Sequence, residues 1–514
     1  MGVAIWSTAK APLRMALPPL CFLAFALGLL SLHQEKIGRF TVDEEWPIPA
    51  ALSRVLFASP LGLADTALLQ YFRRSRDQGS TAEMVEQVTH AGIAPTHIEQ
   101  MVLDGQGIGG SLTATLAFEL FGPHARSLAL LFLTLLGLSV IGYILRFRGE
   151  RLWVVPVYLA ALSFLLLTPA AELPAWATEA PIGGSRSYIL LAILPTLHWC
   201  FELAGEKAGS RRETGFRGVL LGVQVVILSI AILVRYSPIC LIGAVIVSAL
   251  LALRGGSAKR VAVVLLLPLA GILIALYGVV PLSFPGEASS GRLQTLVWHR
   301  AFIGYGADPD WPFPGLRDRY RCPQIEGSLV AGIRDSNGAC VWAAVPVNQL
   351  RPSTEIWGEI YGPEYEAALR KAFFYVAFHY PRQSLEAFLY YKPLLLIDQT
   401  RHALTPWPRM PPGKIVGLAV FQIVLLVGFL ATEPAVASGI KLGAGAAIGL
   451  ALALSAAIPH LIAWTTPATG QEMAAGVLAG GITCVWLSCR AVLRFIGRRW
   501  RGAAAVLGGR KTDC

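Results

Sequence analysis

Charge is scarce in this chain. Of its 514 residues only 15% are Asp, Glu, Lys or Arg, while 54% are hydrophobic, and the mean hydropathy is +0.57. A soluble globular domain carries about 25% charged residues, so this composition argues against a water-soluble enzyme. Familiar soluble chemistry is also missing. There is no Walker A phosphate loop, no zinc-type cysteine pair and no HExxH, which removes the common ATPase and zinc-hydrolase readings. The apolar runs do not alternate with polar residues. They are continuous, which excludes a barrel and leaves membrane helices, since only these two structures satisfy backbone polar groups in lipid. The net charge of +11 is not gathered on a nucleic-acid face; the basic residues fall in short patches beside apolar runs, as cytoplasmic loops do.

What is present is a series of ten candidate spans at residues 13–33, 126–146, 152–170, 186–203, 215–235, 237–253, 259–281, 413–432, 438–461 and 470–492. Lys10 and Arg14 precede the apolar stretch Leu17–Leu32, and Ala24-Phe25-Ala26 resembles a signal cleavage site. The apolar run continues past that triplet, so the stretch reads as an uncleaved first span. The segment Gly107–Gly122 is short for a span and carries Glu119. If it crossed the bilayer, the basic loops at Arg146–Arg151 and Lys207–Arg217 would lie outside. Laid against the outer face instead, it leaves these loops, Arg254–Arg260 and the basic tail all cytoplasmic, with both termini inside. The expected organisation is a membrane module over 1–281 with an outer loop at 34–125. An extracytoplasmic loop follows over 282–412, then C-terminal transmembrane helices over 413–492 and a basic cytoplasmic tail over 493–514.

In the first outer loop, "PAALSRVLFA" and "LADTALLQYFRR" put apolar residues on one helical face, suiting helices on a membrane surface. In the second, "LVWHRAFIGYGADPDWPFPG" is too rich in Gly and Pro for a long helix. "GPEYEAALRKAFFYVAFHYP" reads as a helix, with Pro363 in its first turn, Glu364 and Glu366 suiting its N-terminal dipole, and Pro381 stopping it. "SLEAFLYYKPLLLI" reads as a return to the membrane anchored by aromatics and Lys392. Cys322 and Cys340 share this loop, whereas five of the other six cysteines lie in or beside spans and Cys514 is terminal. In an oxidising compartment the pair is expected to form a disulfide.

Three consecutive acids, Asp43, Glu44 and Glu45, follow the first span in "FTVDEEWPIP". They are either a hydrated acidic run or a reactive cluster at the outer membrane face. Further ionisable candidates on that side are Glu172 and Glu179 in the "AELPAWATEAP" loop, Arg186 at the end of span four, and His299 and Arg300 at the start of the second outer loop.

The layout resembles the GT-C superfamily of polyprenyl-phosphate-dependent glycosyltransferases, which includes protein O-mannosyltransferases and aminoarabinose transferases. The features that carry the resemblance are Asp43-Glu44 after span one, the passage "FELFGPHARSLALLFLTLLGLSVIGYILRFRG", and seven spans before a large outer loop. They cover roughly the first 280 residues. One departure is that the second short outer loop offers Glu172 and Glu179 where many members carry an Asp. The resemblance implies an all-α integral membrane protein with a seven-helix module and juxtamembrane helices. It implies a sugar moved from a polyprenyl-phosphate carrier to an envelope glycan, lipid or protein acceptor. Asp43 or Glu44 would polarise the acceptor hydroxyl or hold a divalent metal ion. Arg186, His299 and Arg300 would neutralise the lipid phosphate. The competing expectations are a transporter or flippase of an envelope lipid, and an oligosaccharide polymerase or ligase. A transporter needs ionisable groups or broken helices at the bilayer midplane, and spans 126–146, 152–170 and 259–281 have almost none.

Overall fold

The computed structural model describes residues 16–30, 47–65, 98–101, 109–147, 151–167, 187–204, 211–235, 237–253, 258–279, 297–308, 363–404 and 447–452, with a few single positions between or beside them. These residues are predominantly helical; a two-stranded antiparallel sheet, Leu63–Asp65 with Ile98–Met101, is the sheet among them. Two helices, Arg126–Arg146 and Gly215–Val234, are long and apolar enough to cross a membrane. The Ala16–Leu30, Val154–Ser163, Ser187–Leu203, Ser237–Leu253 and Val261–Ile274 segments are apolar but shorter. The candidate spans 413–432 and 470–492 lie outside the described residues.

Two separate cores organise the chain. The larger draws on Phe25, Leu52, Phe118, Phe132, Tyr143, Trp199, Leu228 and Leu452, so it runs from the first helix to the 447–452 segment. The smaller is built from Phe302, Tyr305, Tyr365, Leu369, Val376 and Ala387.

Two long helices carry the larger core, Ala125–Arg146 and Arg211–Val234. They are tied at mid-length by a reciprocal pair. The Ser139 hydroxyl donates to Gln224 Oε1, and Gln224 Nε2 donates back to the Ser139 carbonyl, each at 2.7 Å. Gly142 makes room for this amide; a Cβ there would stand 3.0 Å from Gln224 Nε2. At the far end of the first helix, Arg146 grips Glu202 with two prongs. Its Nε meets Oε1, and a terminal nitrogen donates to Oε2 at 2.9 Å. Arg146 and Arg151 both lie over the Phe147 ring, at 4.9 and 5.3 Å. Arg151 also donates to the Phe201 carbonyl at 3.2 Å. A buried carboxylate is tolerable only with such a partner.

The Gly109–Phe121 helix lies along this frame. Its first residue is pressed on the backbone of Leu233 and Val234, where a Cβ would come within 2.2 Å. Its other end closes through a tight turn at Gly122, φ +86°, into the helix that starts at Ala125. Val234 stands about 15 Å along its helix from Gln224, and Ala125 about 21 Å from Ser139, at 1.5 Å per residue. Were the long helices parallel, these distances would add to about 36 Å, more than a 13-residue helix with a tight turn can reach. They run antiparallel, which leaves only about 6 Å between the levels of Val234 and Ala125.

The Pro47–Phe57 helix packs against it, burying Ile48, Ala51 and Leu52. Pro47 at the first position suits a helix start, since its missing N–H would have no intrahelical acceptor. Of the helix expected over "LADTALLQYFRR", the first three residues are not helical, Leu68 is, and the other residues lie outside the described ones. Ala58 (φ 52°) and Gly62 (φ 83°) turn the backbone, and Leu63–Asp65 form a strand. Ser53 fixes the corner by accepting the Asp65 amide on its hydroxyl at 2.7 Å. Asp65, fully buried, accepts the Leu68 amide at 3.2 Å. Local hydrogen bonds and the pairing with Ile98–Met101 outweigh the helical pattern of the sequence here.

Candidate functional site

The described cluster closest to the sequence-based site is held by the smaller core. The Val297–Ile303 helix is only seven residues long, and a short helix begins with amides that have no partner of their own. Glu366 supplies it from the Pro363–His379 helix. Its Oε2 accepts the Trp298 amide at 2.8 Å, and its Oε1 accepts the His299 amide at 3.1 Å. Burial pushes the Glu366 carboxyl above its ordinary range, opposed by these two amides and by the charges of His299 and Arg300. The neighbouring Tyr365 places its hydroxyl 2.7 Å from His299 Nδ1. Both rings are buried. Trp298 leans on Phe373 and Phe374, with the Arg370 guanidinium 5.6 Å over its ring.

Two expectations change here. Glu366 caps a different helix from the one whose N-terminus it occupies in sequence. The amides of Trp298 and His299 already bind a carboxylate, so an incoming phosphate would meet the side chains of His299 and Arg300 and not the helix start. Lys392, expected as an interfacial anchor, is fully buried with its Nζ 4.0 Å over the Phe388 ring. Desolvation lowers its pKa to about 6.

Of the sequence-based site residues, His299 and Arg300 are described and adjoin one another on the Val297–Ile303 helix. Asp43, Glu44, Glu172, Glu179 and Arg186 lie outside the described residues, as do Cys322 and Cys340. What the structure does supply for the acidic run is its downstream support, the helix that starts at Pro47. Among the described residues there is no group of three or more His, Cys, Asp or Glu that could hold a metal ion.

Tyr365, Glu366 and Asp65 were not among the candidates read from the sequence. Tyr365 and Glu366 stand 66 to 68 residues from their partners, and no spacing rule reports such a pairing. A further pattern, Gly105, Gly107 and Gly110, has the letters of a dinucleotide-binding turn between the Ile98–Met101 strand and the helix at Gly109. Its context differs. The strand is one of an antiparallel pair, and the helix start is pressed on the Leu233–Val234 backbone, where a pyrophosphate would need to lie.

Chemically, the His299–Tyr365 pair can pass or share a proton, and Glu366 and Arg300 set the charge around it. Comparison with family models, curated proteins and solved structures finds no match.

Proposed function

We propose that the chain is a multi-pass membrane glycosyltransferase of GT-C type, moving a sugar from a polyprenyl-phosphate carrier to an envelope acceptor. The setting is a bacterial inner membrane, both termini cytoplasmic, with the chemistry on the extracytoplasmic face. A membrane setting is supported by the outward faces of the helices. Leu20, Leu23 and Leu27, then Leu138 and Ile141, then Ile246, Leu250 and Leu253 are all exposed at helical spacing, where a helix in water would present polar residues.

The observation that carries the reading is the pair of helices, Pro47–Phe57 and Gly109–Phe121, packed on one another beside the end of the long helix at Val234. A surface-lying Gly109–Phe121 helix is what the loop charges require, and it favours outer-face placement of the acidic run just before Pro47. Asp43 is assigned the role of general base or metal ligand for the acceptor, with Glu44 beside it. Glu172 and Glu179 are reserve carboxylates, and Arg186, His299 and Arg300 are the phosphate partners. A transport reading needs ionisable groups in mid-helix; at the level of Ser139 and Gln224 the polar groups satisfy each other instead.

The test is transfer of sugar from a polyprenyl-phosphate donor by the purified chain. Asp43→Asn keeps the shape of the side chain and removes its charge, so activity should fall roughly a hundredfold or more, with unchanged yield and melting. Normal turnover in both Asp43→Asn and Glu44→Gln would refute the assignment.

A further inference from the structure

The smaller core carries one helical stretch that is apolar on two sides. From Pro381 the chain runs through a short helix to Glu386, a π-helical turn at Ala387–Tyr391, and the Lys392–Leu404 helix. Its inner side is Ala387, Lys392 and Leu396, all buried. Its outer side is Leu385, Leu389, Tyr390, Leu394 and Ile397, with Leu389 at 72% and Ile397 at 62% exposure. A helix apolar all round belongs inside something. The charges are informative as well. The Arg382–Glu386 pair, 2.8 Å apart, precedes this surface and exposed Asp398 follows it. Between them the one charged residue is Lys392, and it is turned inward onto Phe388.

We propose that this outer side is a lipid-binding face, lying in the interfacial layer of the outer leaflet. The proposal rests on the membrane reading above. Three features select lipid over a protein partner. Between Glu386 and Asp398 the outward surface offers the hydroxyls of Tyr390 and Tyr391 and no other polar side chain, whereas protein interfaces carry about one hydrogen bond per 100–200 Å². Adjacent tyrosines suit the headgroup level, where an apolar ring body and a polar tip are both satisfied. Finally, residues 405–412 alone separate Leu404 from the apolar run at 413–432. Eight residues reach at most about 28 Å, which tethers the Leu404 end of this stretch to that run. The stretch between Glu386 and Asp398 is too short to span, so it lies in the surface layer.

The lipid face would hold the His299–Tyr365–Glu366 cluster at a fixed height above the membrane, since both are built on the same core through Phe388, Phe373 and Tyr305.

The experiment places the photo-crosslinker p-benzoylphenylalanine at Leu389, Leu394 or Ile397 of the full chain. The protein is reconstituted in phosphatidylethanolamine–phosphatidylglycerol vesicles and irradiated, and the adducts are identified by mass spectrometry. Val226, exposed on the Gly215–Val234 helix, is the membrane control, and Glu364, exposed at the start of the Pro363–His379 helix, is the aqueous one. Lipid adducts at the three face positions and at Val226, but not at Glu364, are expected. Adducts at Val226 with none at the face overturn this proposal and leave the membrane reading standing. So does a face crosslink to a second copy or to another segment of the same chain. Absence of adducts at Val226 as well overturns both.

Discussion

Replacing Gly109 with alanine adds one methyl group where the protein has no space for it. The new Cβ would lie 2.2 Å from the Leu233 carbonyl carbon, 2.2 Å from the Val234 nitrogen and 2.5 Å from the Leu233 oxygen. All three are backbone atoms of a 24-residue helix, so no rotamer change can clear them. Ordinary van der Waals contact begins near 3.4 Å, and the two helices must separate by more than 1 Å. Overpacking of this kind costs about 1–3 kcal/mol. The gain from replacing glycine in a helix offsets at most about 1 kcal/mol of that, leaving a net loss of up to about 2 kcal/mol after the full offset. The same exchange at Gly215, Gly218 or Gly222 meets nothing within 4 Å and should be neutral or stabilising. Thermal unfolding of detergent-purified variants, followed by tryptophan fluorescence, separates the two classes. Hydrogen exchange should also show early opening of residues 109–121 in Gly109→Ala alone. If Gly109→Ala melts at or above Gly222→Ala, the close approach at Val234 is not what seats the Gly109–Phe121 helix.

Lys392→Met should stabilise the smaller core near neutral pH. The native amine releases its proton near pH 6 and the unfolded one near 10.5. In that window the unfolded chain binds more protons, so wild-type stability rises with pH by about 1.4 kcal/mol per unit. The variant should lose that slope in hydrogen-exchange measurements on residues 363–404, and an unchanged slope would refute the burial argument. Glu202→Gln strands Arg146 and should cost about 3–5 kcal/mol, whereas Arg146→Met with Glu202→Leu should recover most of it. A double-mutant cycle by thermal melting that gives simple additivity would contradict the pairing. Cys322 and Cys340 should resist alkylation until a reductant is added, and two freely reactive thiols would remove the bond.

The helical class and several helix bounds were legible because long apolar runs need no partner information. Val154–Leu167 and Ile242–Leu253 fall within their expected spans, and Ala258–Ile274 starts one residue before its own. So did the punctuation around Pro363–His379, since proline acts through its own φ and its missing amide. The strand at Leu63–Asp65 was not legible, because its helical pattern is overruled by Ser53 and by pairing with a segment far along the chain. Glu366 was read in part: it stands in the first turn of its own helix as expected, and its long-range partners were not legible. Its local position fits its own helix dipole, yet its carboxylate is taken by amides 67 and 68 residues away. Lys392 had the sequence of an anchor and the location of a core residue; only the π-helical turn before it re-aims the side chain.

The clamp between Glu366 and the amides of Trp298 and His299 has an architectural consequence. It joins the two ends of residues 309–362 across the base of that excursion. The chain on either side of this segment is thereby fastened together independently of it. Doubling the length of a closed flexible loop costs only about 0.6 kcal/mol, so segments of very different length can sit on the same base. Cys322 and Cys340 both fall within the segment. A bond between them would cross-link the segment internally without fastening it to that base. Shortening or exchanging residues 309–362 should leave the Trp298–Glu366 base folded, without rebuilding the helices beneath.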